Sequence, residues 1–119
     1  MVVLTVALVP TFEFGAGDGG VTTRTTSSSM ESVFVDVENA DNAPRTIRVF
    51  AIGTASETPA AGVRLLPGET QQLAGGESKR VLAVFQNLHP GEKREARVCY
   101  APINDPTNRT CEAFAIERL

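Results

Sequence analysis

At 119 residues the chain has the length of one domain and can bury about two-thirds of its unfolded surface, so no metal or second subunit is needed merely to fold. A net charge of −3 and a pI near 5.1, with no Lys/Arg cluster interleaved with aromatics, exclude a nucleic-acid-binding surface. With six Phe, one Tyr and no Trp, core volume has to come from Val, Leu, Ile and Ala, of which Val and Ile, branched at Cβ, favour strands. Apolar and polar residues alternate, and turn signals recur roughly every 8–15 residues, which predicts an all-β sandwich.

In chain order, the first element is the run Val2, Val3, Leu4, Thr5, Val6, Ala7, Leu8, Val9, apolar on both faces. Its eight residues fall well short of the about twenty a membrane helix needs. It lacks a basic leader, and Pro10 stands where a small-residue cleavage site is expected, so it does not read as a signal peptide. Export would rest on a leader removed upstream or on release of a particle. Two readings remain for residues 2–9. They are the first strand of their own sandwich, or a donor strand that completes a neighbour's sheet, with the glycine-rich residues 15–20 as hinge. Phe12 and Phe14 then share one face, and the Thr/Ser-rich residues 21–29 read as an edge strand or an extended linker.

The N-terminal segment is therefore taken as residues 1–31 and the sandwich body as 32–119, within one domain. In the body, Val33, Val35 and Val37 share a face while Asp36 and Glu38 point away. Ile47, Val49 and Ala51 point inward in the next strand, with Phe50 and Ile52 calling for cover on the other side. Strands are expected at 63–66, at 79–85 (Val81, Ala83, Phe85 inward), at 94–100 (Ala96, Val98, Tyr100 against Glu95, Arg97, Cys99) and at 110–117 (Phe114, Ile116). The expected total is seven to nine strands, the number a sandwich of this length requires.

The phrase Leu-x-Pro-Gly-Glu occurs twice, at residues 65–69 and 88–92. Pro67-Gly68 and Pro90-Gly91 predict type II turns, because the second central residue of that turn needs φ > 0. A strand ending in Val37-Glu38-Asn39, a polar turn, a partner strand and a Leu-x-Pro-Gly-Glu corner together resemble bacterial and archaeal extracellular immunoglobulin-like domains, of the cell-adhesion-related and fibronectin-like kind. The resemblance spans residues 32–100. It implies an immunoglobulin-like antiparallel β-sandwich used for adhesion, spacing or assembly, without an active site.

Cys99 and Cys111 fit no four-ligand zinc pattern, and His89 is the only histidine. A structural disulfide is the plainer reading, and it points outside the cytosol; two free thiols in a reducing compartment are the alternative. His89 lies in a Pro-Gly turn with no nucleophile arranged beside it, so it reads as an exposed turn residue. No Asp-rich calcium loop is present, and Asn108-Arg109-Thr110 matches a glycosylation triplet. These readings lead to a non-enzymatic chain without cofactor or metal, outside the cell or on a cell or virion surface. It would be a structural subunit of a filament, pilus or virion decoration whose partners are other protein chains, chiefly copies of itself. The alternative is a monomeric adhesion module that recognises protein or glycan through the loops at 53–61 and 101–110.

Overall fold

The computed structural model describes residues 20–119; the run from Val2 to Val9, and with it the choice between own strand and donor strand, lies outside the described residues. Eight strands follow in order: β1 (Val21–Thr26), β2 (Glu31–Glu38), β3 (Arg45–Ile52), β4 (Val63–Leu66), β5 (Thr70–Leu73), β6 (Ser78–Phe85), β7 (Lys93–Pro102) and β8 (Thr110–Arg118). They form a five-stranded sheet in the order β1-β8-β7-β3-β5 and a three-stranded sheet in the order β2-β6-β4. Every pairing is antiparallel except β1 with β8, which is parallel. The Thr-rich stretch after Gly20 is thus an edge strand of the larger sheet.

The two-residue period of the sequence is what brings these sheets together. Val33, Val35 and Val37 of β2 and Val81, Ala83 and Phe85 of β6 face Ile47 and Val49 of β3, Ala96 and Val98 of β7, and Phe114 and Ile116 of β8, all buried in one cluster. Phe85 and Phe114 meet edge to face across the layers, ring centroids 6.5 Å apart, the arrangement the ring quadrupoles favour. Ile52 is buried and Phe50 half-buried on the opposite parity of β3, in line with the cover expected there.

Strand β5 has no counterpart in the sequence reading. Its residues Thr70, Gln71, Gln72 and Leu73 carry one large apolar side chain, so no alternation announces it. Gln71 nevertheless points inward and is buried, its Nε2 donating to the Gly68 carbonyl at 3.0 Å.

Both Leu-x-Pro-Gly-Glu phrases sit where the chain crosses from the smaller sheet to the larger, yet they differ in shape. At the second, Gly91 has φ +80° and the Glu92 N–H donates to the His89 carbonyl, as the predicted turn requires. At the first, the Leu66–Pro67 bond is cis and Gly68 has no positive φ, so the predicted type II turn at Pro67-Gly68 is corrected. Only residues 67–69 separate β4 from β5, and they must carry the chain between layers about 10 Å apart. They bend at Pro67 and Glu69 and make the crossing without a type II reversal.

At one end of the sandwich two loops lie in backbone contact. A Cβ on Gly75 would overlap the backbone carbonyl of Asn42, so the β5–β6 loop passes the β2–β3 loop at a distance only glycine permits. Gly75→Ala is expected to push the loops apart and to cost about 1–3 kcal/mol, as overpacking does. Urea denaturation checks this through a lowered midpoint at unchanged slope.

Candidate functional site

Among the described residues no group of three or more His, Cys, Asp or Glu side chains could hold a metal, and no helix is long and apolar enough to cross a membrane. Attention falls instead on two surfaces: a clamped loop over the larger sheet, and the edge and outer face of the smaller one.

On the outer face of the larger sheet, register places Arg97 opposite Ile52 and Ala113, then Cys99 opposite Phe50 and Cys111, then Ala101 opposite Arg48. Cys99 and Cys111 are bonded, with Cα atoms 4.0 Å apart across the β7–β8 pair, the arrangement expected if those strands pair. Cys99 is fully buried although its parity points away from the core, so something covers it. The cover is the loop at 53–60. Arg97 Nε donates to the Gly53 carbonyl at 3.0 Å, and its Nη2 donates to the Ser56 carbonyl at 3.1 Å and to Glu57 Oε2 at 3.3 Å. Both Nη atoms of Arg109 also reach the Glu57 carboxylate. Arg97 lies one row to one side of the disulfide and Arg109 one row to the other, so the Arg97–Glu57–Arg109 bridge spans the row holding Cys99 and Cys111. The same bridge joins the two loops, at 53–61 and 101–110, that the sequence singles out as recognition loops.

Hydrogen bonding from Arg109, then its charge and the matching contributions of Arg97, hold the Glu57 carboxyl at about 2, below its ordinary 4.5. Because the folded-state value is depressed, the clamp is fully present above about 4.5 and is lost as pH falls through about 2. Protection of the amides in residues 53–60, taken relative to free-peptide exchange at each pH, is therefore expected to hold above about 4.5 and to fall away as pH drops through about 2. Glu57→Gln should give the same loss of protection at neutral pH and speed reduction of the disulfide by a small thiol several-fold. Equal rates in the two proteins would refute the shielding.

The smaller sheet has a free side. Strand β2 pairs with β6 alone among the described residues, leaving the other edge of all eight of its residues without a ladder partner. β1 pairs with β8 only from Ala113 onward, so no described residue pairs residues 110–112 on that side. Glu112, opposite Val98 of β7, is one of these residues. Burial, with the Asp36 charge adding to it, raises its carboxyl above the ordinary value.

The outer face of the smaller sheet carries apolar residues the sequence reading passed over. Phe34, Leu82 and Leu66 form one row across β2, β6 and β4. Phe34 is 60% exposed and Leu66 37%, with Met30 at 50% just before β2. Arg80 holds its guanidinium 5.1 Å from the Phe34 ring centroid while pairing with Asp36 at 3.1 Å. That covers one side of the ring and leaves the rest in water. Phe34 was legible by parity alone, since it alternates with Val33 and Val35.

The sequence-derived residues therefore divide. Cys99 and Cys111 meet, Pro67-Gly68 and Pro90-Gly91 lie at separate crossings, and Val2, Val3, Leu4, Val6, Leu8 and Val9 fall outside the described residues. His89 is exposed in its turn, where its N–H donates to Glu92 Oε1 at 2.8 Å. With the Arg94 pair, that bond holds the Glu92 carboxyl below its ordinary value.

No protein-family model matches the sequence, and no curated protein matches it. Solved structures do. The E. coli chaperone DraB aligns with a TM-score of 0.60 at 17% identity, over 82% of this chain and 51% of that one. A chain of the Salmonella enterica SafA pilin–SafB chaperone complex aligns at 0.59 and 13% identity, over 82% and 51%. PapD-like domain 7 of human CEP192 aligns at 0.53 and 13% identity, over 84% of this chain and 82% of that domain. The chain thus spans about half the length of the first two. Eight strands in two sheets and this set of neighbours establish the fold: an immunoglobulin-like β-sandwich, similar to the PapD-like domain of CEP192.

Proposed function

We propose that the chain is a non-enzymatic structural subunit of an assembly outside the cytosol, a filament, pilus or virion decoration, in which residues 2–9 of one copy complete the sandwich of the next. The observation that carries this reading is the edge of β2 that no described residue pairs. It is eight residues long, with three buried valines just inside it, and residues 2–9 supply an apolar run of the same length. A strand laid against that edge gains a full ladder of main-chain bonds, with one of its faces meeting the core. Apolar residues on both faces suit such a strand, because its other face continues the exposed row at Phe34. The disulfide agrees with a site outside the cytosol. The likeness to chaperones, one in complex with a pilin, agrees with a fold that engages other protein chains.

Deleting residues 2–9 is expected to convert the assembled protein into a folded monomer. A synthetic peptide of residues 1–14 should then bind it and protect β2 amides from hydrogen exchange. Intact chain that sediments as a 12.7 kDa monomer at high concentration would overturn the proposal. That result would favour the second reading, a monomeric adhesion module. Its support is the Glu57 bridge, which joins the loops at 53–61 and 101–110 into one surface.

A further inference from the structure

We propose that the side of the sandwich between β3 and β4 is a binding site for a small apolar carboxylate. The charged end of such an acid meets Arg48 and Arg64, and its body lies on Val63 and Leu65. The site is across the smaller sheet from the β2 edge, so it does not depend on strand completion.

The opening follows from how the chain is divided there. Strand β5 accompanies β3 only from Arg45 to Arg48, because β5 begins after the crossing at residues 67–69. One more bond, from the Val49 N–H to the Glu69 carbonyl, closes that end. At the other end the β3–β4 loop turns back, and the Ala60 N–H donates to the Ala51 carbonyl. Between those two bonds no described strand lies beside β3. Bonds to the two sides of a strand alternate along it. Thr46 takes its bond from Ile103, on the β7 side, so the main-chain groups of Val49 and Ala51 point the other way. The Ala51 N–H therefore faces the opening, and no described residue accepts from it.

The cavity formed there holds about 640 Å³, within the about 300–1,000 Å³ of small-molecule sites. Its apolar wall is the buried Ile52 of β3 with the half-buried Val63 and Leu65 of β4. Val63 and Leu65 also pack on the core, which fixes that wall. Arg48 lines the cavity from the larger sheet and Arg64 from the smaller. Every other arginine of the chain holds a carboxylate or a main-chain carbonyl. Arg48 and Arg64 have neither among the described residues; Arg48 only lies 5.5 Å from the Phe50 ring centroid. Glu57 and Glu69 line the cavity too, but both oxygens of Glu57 are taken by Arg97 and Arg109. Two cations then stand against the one carboxylate of Glu69, which leaves room for a single negative charge. A phosphate dianion exceeds that balance. A carboxylate matches it, fits the planar guanidinium fork and can accept from the Ala51 N–H as well.

The test uses the full chain with octanoate as probe, calorimetry for affinity and residue-resolved amide exchange for place. Octanoate is expected to bind saturably and to slow exchange of the Ala51 amide, which is unpaired without it. Arg48→Gln and Arg64→Gln should each weaken binding roughly 3- to 10-fold. Both residues are exposed, so the variants keep the fold, and unchanged protection of the β6 amides verifies it. Lys79→Gln, which removes an exposed cation outside the cavity, should leave affinity unchanged. Octan-1-ol and acetate each lack half of the ligand and should bind at least about tenfold more weakly. Octanol bound as tightly as octanoate, full affinity in either arginine variant, or an Ala51 amide that still exchanges freely at saturation overturns the proposal.

Discussion

Replacing Asn39 with alanine is expected to destabilise the sandwich by about 2–4 kcal/mol, counting about three lost neutral hydrogen bonds and the buried carbonyls left behind. Asn39 follows β2 and is 2% exposed. Its Nδ2 lies 2.9 Å from the Ala43 carbonyl, 3.2 Å from Leu73 and 3.1 Å from Ala74, and its Oδ1 accepts from the Asp41 N–H at 3.1 Å. An amide nitrogen has two protons for those three acceptors, so the bonds are shared, which is why the estimate stays below four full ones. The main chain adds to the bracket, with the Asn39 N–H donating to the Glu77 carbonyl and the Gly76 N–H donating to the Asn39 carbonyl. One side chain therefore ties the β2–β3 loop to the β5–β6 loop, at the place where Gly75 allows them to touch. Asn39→Asp should be nearly as harmful at neutral pH, because a carboxylate would face the same carbonyls. Equilibrium denaturation of the three proteins checks this; a loss below 1 kcal/mol in Asn39→Ala would refute the bracket.

Phe85→Ala is expected to cost about 3–5 kcal/mol, the range for a large aromatic removed from a packed core. Phe85 is fully buried at the end of β6, opposite Glu31 of β2 and Val63 of β4, and its ring meets the edge of Phe114 from the other sheet. With few aromatics and no tryptophan, no neighbour is large enough to fill the space. The loss should appear as a lower thermal midpoint, and Phe85→Leu should recover more than half of it. If Phe85→Ala were tolerated at under 1 kcal/mol, the core would be looser than the contact implies.

The inward faces of β2, β3, β6, β7 and β8 were legible from alternation, because one face of each meets the other sheet while the other carries most of its polar residues. Strand β5 was not, since its fold role rests on Leu73 and an inward glutamine. Nor was β1 distinguishable from a linker: Val21, Thr22, Thr23, Arg24, Thr25 and Thr26 become a strand only because β8 offers an edge. Asn39 reads as a turn residue in the sequence, and only the fold reveals the carbonyls around it. The Glu57 clamp joins residues 40 and 52 positions apart, a separation that leaves no local pattern. The two Leu-x-Pro-Gly-Glu phrases carry a further lesson. The same Pro-Gly pair gave a type II reversal at Gly91 but, where only residues 67–69 join the layers, a cis Leu66–Pro67 bond with no positive φ at Gly68.

The parallel pairing of β1 with β8 has a mechanical consequence. Residues 1–20 lead into β1 at Val21, beside Ala113, and the ladder then runs in one direction for six residue pairs to Thr26 beside Arg118. A pull on Val21 directed along the axis of β1 would draw it lengthwise past β8. The evenly spaced bonds of a parallel ladder are then loaded together in shear, not peeled one after another. A subunit tethered through residues 2–9 would thus meet tension with its ladder set in the direction that resists it best.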